Sequence, residues 1–178
     1  KQGRILLVTS PHLSESDWDA FRIGNEARKN EIVFQSLAKQ VEEMKNNRRD
    51  SRLLLLAWLI ADEILEVKIA IPRNNNGDFH DKFAIFEDNN GDKVALHGSL
   101  NDSEKASLNG EGVSVFRSWV LGQEGFVEGH ETRFDQLFLQ NSNFYHVYDL
   151  PNAIREDIVR LKENKARPYT LPVQKKAL

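Results

Sequence analysis

One dipeptide constrains this chain more than any other feature. Asn90-Gly91 stands between two strand-like runs, residues 79–88 and 93–100. Asn and Gly tolerate the positive φ of a tight turn, so Asn-Gly between apolar runs predicts an antiparallel hairpin. With Asn90 and Gly91 as the central pair of a type I′ turn, facing residues have numbers that sum to 181. His80 then stands opposite Asn101, and Lys82 opposite Ser99. Strand side chains alternate, so these four share one face, with opposite Cβ atoms roughly 5 Å apart. An imidazole, an ammonium, a hydroxyl and an amide gathered so closely can bind and attack a phosphate. A longer turn shifts this register, so the convergence depends on the turn type.

The flanking sequence alternates strands and helices. Residues 4–10 read as a short apolar strand ended by Pro11. Ser14 or Ser16 caps a helix with Glu15, Asp17 and Asp19 in its first turn, and Gly24 interrupts it. Residues 25–48 are expected to be helical, with Ile32, Leu37, Val41 and Met44 as a partial apolar stripe. A buried helix over 52–64, capped by Asp50 or Ser51, precedes a strand over 65–71 that stops at Pro72. Past the hairpin come a polar loop (101–110), a strand over 112–119, a helix over 123–140, a strand over 145–150 and a helix over 151–165. This order predicts an α/β fold built on a mixed sheet.

At 178 residues, 40% hydrophobic and 29% charged, the chain has the size of one ordinary domain with its own core. Its longest apolar stretch, residues 53–60, is far too short to span a membrane. The absence of cysteine excludes disulfides and thiolate metal sites and suits a cytoplasmic location. The start, Lys1-Gln2-Gly3, has no signal-peptide pattern, and the only Met is Met44, so a piece of a longer protein is expected. The net charge of −3 is unevenly spread: Lys plus Arg against Asp plus Glu stands at 10 to 8 over residues 1–60, 7 to 16 over 61–150, and 7 to 3 over 151–178. The acidic middle argues against a broad phosphate-binding surface there.

His80-Asp81-Lys82, then Gly98-Ser99-Leu100-Asn101, then Glu111 ten residues on, resembles the HKD signature of the phospholipase D superfamily. Where that signature has an acidic residue five positions after its Lys, this chain has Glu87, with Asp88 next to it. The stretch 79–119, with Thr9-Ser10-Pro11-His12 near the first strand, resembles the nuclease domain found ahead of DEAD/DEAH-type helicases in bacterial restriction-like systems. Residues 167–174, including Gln174, resemble the start of such a helicase. The resemblance implies a phospholipase D-like mixed sheet flanked by helices on both faces, with a nuclease domain over 1–165 and a linker over 166–178.

The resemblance also implies a two-step phosphodiester cleavage. His80 attacks phosphorus; Lys82, Ser99 and Asn101 hold the non-bridging oxygens; Glu111 orients the imidazole. His12, Lys82 and Asn101 are the expected substrate contacts. No metal or other cofactor is required. DNA is the expected substrate, and a second copy of the chain supplies the second histidine. Three other readings stand beside it. Asp50, Glu66 and Lys68 imitate a Mg²⁺-dependent nuclease pattern. A degenerate module would only position DNA or a partner for a helicase. Lipid hydrolysis is opposed by the lack of a basic amphipathic helix. Of the remaining histidines, His97 is expected to pack, and His130 and His146 show no partner pattern. Trp18, Trp58 and Trp119 are expected in the core, and Lys45, Arg48 and Arg49 at a solvated helix end.

Overall fold

The computed structural model describes residues 3–46, 51–73, 79, 81–98 and 112–170. Among them are six strands and five helices: β1 (Ile5–Thr9), α1 (Glu15–Ile23), α2 (Glu26–Asn46), α3 (Ser51–Ala61), β2 (Leu65–Pro72), β3 (Phe83–Glu87), β4 (Lys93–Gly98), β5 (Val113–Arg117), α4 (Glu124–Phe138), β6 (Tyr145–Asp149) and α5 (Asn152–Arg160). The α/β class holds, but the single mixed sheet does not. The strands form two three-stranded sheets, β1-β2-β6 and β3-β4-β5. Both edges of β2 are occupied, by β1 in parallel and by β6 in antiparallel pairing. The hairpin of β3 and β4 pairs instead with β5, in a second sheet. The chain divides accordingly into two compact units, residues 1–77 with 143–178, and residues 78–142.

In the first unit, the sequence punctuates the helices as expected. Ser14 caps α1 with a capping box: its hydroxyl accepts from the Asp17 amide, and the Asp17 carboxylate accepts from the Ser14 amide. The Ser14 hydroxyl also donates to the Asp17 carboxylate at 2.6 Å, and this bond, with the one from the Ser14 amide, holds the Asp17 carboxyl below its ordinary range. The Asn25 side chain accepts from the Arg28 amide at the start of α2. Leu65, Ile69 and Ile71 project from one face of β2 into a core shared with Ile32, Val33, Leu37 and Val41 of α2, Ala57 and Ile60 of α3, and Ile154 and Ile158 of α5. Met44, expected in the α2 stripe, is 47% exposed. Arg48 and Arg49 lie outside the described residues.

After α5 the chain folds back onto α3. Arg167 and the Tyr169 hydroxyl both donate to the Asp62 carboxylate at 2.7 Å. The Arg167 guanidinium also lies 4.7 Å from the centre of the Trp58 ring. Burial and the Asp62 bond push the Tyr169 phenol up to about 12. The described part of the expected linker, residues 166–170, thus has fixed contacts.

The second unit is an antiparallel sheet with α4 on one face. Phe116 stacks on Phe126, and Phe83 meets Phe134 edge to face. Within this unit, among the described residues, no helix covers the other sheet face, which carries Val94, Leu96, Val113, Val115 and the 60% exposed Phe86. Trp119, expected in the core, is 56% exposed, whereas Trp18 packs against the first unit's core. No described helix is long and apolar enough to cross a membrane.

Candidate functional site

The hairpin exists, with a different register. Phe83 faces His97, Ile85 faces Ala95 and Glu87 faces Lys93, so facing numbers sum to 180 rather than 181. The cause is the loop. It has three residues, Asn89, Asn90 and Gly91, and Gly91 takes the positive φ of 88°. The Asp88 carboxylate accepts from the Asn90 and Asp92 amides at 2.8 and 3.0 Å, which stabilises this longer turn. Lys82 consequently stands beside Gly98, whose amide donates to the Lys82 carbonyl at 3.2 Å. The expected pairing of Lys82 with Ser99 does not follow from this ladder.

Of the expected catalytic residues, Lys82 is half-buried just ahead of β3, while His80, Ser99, Asn101 and Glu111 lie outside the described residues. The described ends of the motif do meet at one sheet edge. Lys82 bonds Gly98 at the end of β4, and Gly98 faces Val113 at the start of β5. The approach is so close that a Cβ at position 98 would collide with the Gly112 carbonyl oxygen and lie 2.9 Å from the Val113 Cα. Only glycine fits there, which gives the glycine of the Gly-Ser pair a steric reason.

Both acidic residues left open by the motif comparison have structural partners. Asp88 builds the turn, and Glu87 lies 3.9 Å from Lys93 across the ladder. Lys93 also bonds Glu131 of α4, and that bond, with Glu87 and Asp135 adding, keeps its ammonium above the ordinary lysine range. Both carboxylates sit at the end of β3 remote from Lys82. Asp81, the middle residue of His-x-Lys, is buried on the α4 side and pairs with Arg133 at 2.5 Å.

His12 belongs to the first unit. Its side chain is exposed, and its carbonyl accepts from the Ser36 hydroxyl at 2.8 Å, which pins the loop after β1 to α2. The histidines without an expected partner turn out to have several. His130 lies 5.2 Å from His97, 5.6 Å from Phe83 and 5.9 Å from Phe116, ring centre to ring centre. Its Nδ1 is 2.6 Å from the Phe126 carbonyl, which can only accept, so Nδ1 carries the proton in this bond. A signal was present in the sequence: Phe126, His130, Phe134 and Phe138 recur every fourth residue and form one stripe of α4.

The competing Asp50, Glu66 and Lys68 set is differently engaged. Asp50 lies outside the described residues. Glu66 is bonded by Arg4, and Lys68 pairs with Asp149 and lies 3.9 Å from Glu66. Arg4, Glu66 and Asp149 border a cavity of about 490 Å³ at the base of the β1-β2-β6 sheet, which Arg155 also lines. A cation entering there would have to displace two basic side chains from Glu66. Comparison with family models, with curated proteins and with solved structures finds no match for this chain.

Proposed function

We propose that the chain is a phospholipase D-type phosphodiesterase, an endonuclease module that cleaves DNA through a phosphohistidine. The supporting observation is the edge where Lys82, Gly98 and Val113 adjoin, because each of these residues borders one piece of the His-x-Lys, Gly-Ser-x-Asn and acidic motif. A three-stranded antiparallel sheet brings three sequence segments to one edge on a rigid frame, as a catalytic constellation requires.

His80 attacks phosphorus as the bond to the leaving oxygen breaks, and a second histidine gives that oxygen its proton. The same second histidine then takes a proton from water, whose oxygen attacks phosphorus and releases His80. Lys82, Ser99 and Asn101 stabilise the charge that builds on the non-bridging oxygens, and Glu111 fixes the His80 tautomer. One chain has one such motif, so a C₂ homodimer supplies the second His80. The biological setting we propose is a helicase-linked restriction or defence protein.

Cleavage of a plasmid by the purified chain, in excess EDTA, tests the reading. The reading expects undiminished cutting with EDTA, loss of cutting in His80→Ala, and sedimentation at about twice 20.4 kDa. Mixed dimers of wild-type and His80→Ala chains should lose activity more than in proportion. Activity that fails in EDTA and returns with Mg²⁺ would transfer the chemistry to Asp50, Glu66 and Lys68.

A further inference from the structure

The carboxyl ends of the parallel strands β1 and β2 lie at one edge of the first unit's sheet, beside the amino end of β6. Open α/β sheets bind ligands outside the carboxyl ends of their strands. The β2-β6 pairing continues one step beyond Pro72, since the Arg73 amide donates to the Phe144 carbonyl at 2.8 Å. Strand alternation then places Arg73 on the same face as His146 and Tyr148, because Ile71 faces His146 and Ile69 faces Tyr148. His146 is 6.4 Å from Tyr148 and 5.9 Å from Phe21, ring centre to ring centre. Lys29 of α2 reaches the same place, with its ammonium 5.6 Å from the Phe21 ring centre.

Two features of this cluster are unexplained by packing. The Tyr148 hydroxyl is buried and has no hydrogen-bond partner among the described residues. Native structures rarely leave such a group unpaired, since it costs about 1–3 kcal/mol, so a partner outside the protein is indicated. Arg73 is exposed and has no carboxylate partner among the described residues. Among the described residues, the carboxylate that acts on His146 and Tyr148 is that of Glu26, which is 68% exposed and pairs with Lys29 at 3.2 Å. A phosphate placed here would compete for Lys29 against a solvated carboxylate.

We infer that this edge binds a phosphate group, with Arg73 and Lys29 as its charges and the Tyr148 hydroxyl and His146 as neutral donors. The electrostatics agree. Burial, then Arg73 and Lys29, holds the His146 imidazole below its ordinary range, as expected of a neutral donor among cations. Burial, with Glu26 adding, pushes the Tyr148 phenol up to about 12, so it keeps its proton to donate. The inference concerns the first unit alone and stands whether or not the second unit cleaves DNA.

Thermal melting of the whole chain in sodium phosphate and in sodium chloride of equal ionic strength tests it. Phosphate at ten times its dissociation constant should raise the melting temperature by about 3 °C. Tyr148→Phe keeps the ring and its packing, and Arg73→Met keeps the stem; both should remove most of the gain. Arg155→Met, at the opposite end of the sheet, should keep it. Anisotropy of a labelled oligonucleotide on the His80→Ala chain separates the two sources of phosphate. Binding that weakens with Arg73→Met identifies a nucleic-acid phosphodiester; binding that does not identifies a free phosphate or monoester. Equal melting in phosphate and chloride would overturn the inference. So would a phosphate gain retained by both Tyr148→Phe and Arg73→Met, which would leave only a buried water on the phenol.

Discussion

The two units solve the same problem with different means. The first covers its sheet with aliphatic side chains from helices on either side of it in the sequence, and Ile69, Ile71 and Ile154 are at most 2% exposed. Among the described residues, the second has one helix against its sheet, and phenylalanines and histidines fill most of that interface. Buried aliphatics give a deep, dry core, whereas half-exposed aromatics and imidazoles pack while keeping a polar edge in water. The first unit therefore has the stronger claim to hold the fold, and the second to expose reactive groups. The HKD-like motif lies in the second.

Substitutions that probe each unit should separate in size. Ile69→Ala opens a cavity in the first core and should cost roughly 2–5 kcal/mol in urea unfolding. Val127→Ala, equally buried in the second unit, removes less volume and should cost about half as much. Equal losses would break the contrast between the cores. Gly98→Ala forces a methyl group against Gly112 and should cost about 1–3 kcal/mol, with DNA cleavage falling alongside. The control Gly3→Ala meets nothing within 4 Å and should change neither measurement.

A smaller effect lies in the pH dependence of the first unit. The folded pKa of His146 is depressed below 6.5, so the unfolded chain binds the extra proton more readily. Its contribution is complete above pH 6.5 and is lost as pH falls through the window below it. His146→Leu should flatten that part of the stability profile between pH 5 and 7; an unchanged slope would sink the assignment. Smallest of all is the exposed Arg28–Glu31 pair at 2.7 Å on α2. Its double-mutant cycle should return under about 0.5 kcal/mol.

The order of strands and helices was legible in the sequence because caps and breakers stand where elements end: Ser14, Pro72, Asn89 to Gly91, and Pro151. The register was not. Asn-Gly marks a turn, but whether two or three residues form it depends on the Asp88 side chain, which accepts two amides. That one-residue difference moves Lys82 from Ser99 to Gly98. The split into two sheets was also hidden, because strand order depends on which edge of β2 is filled, and β6 arrives from 73 residues beyond it. The α4 stripe is legible in the sequence, since Phe126, His130, Phe134 and Phe138 stand at spacing four, and it accounts for the rings that His130 meets in the fold.

The proposed chemistry is tested most directly by stopping the reaction midway. The purified chain would be mixed in EDTA with DNA carrying ³²P at its internal phosphodiesters, quenched in base within the first turnover and digested to peptides. A phosphohistidine is stable to base and labile to acid, so the account predicts a base-stable label on the peptide that contains His80, absent from His80→Ala. Cleavage without any protein-bound label, or a label that persists in His80→Ala, would contradict it.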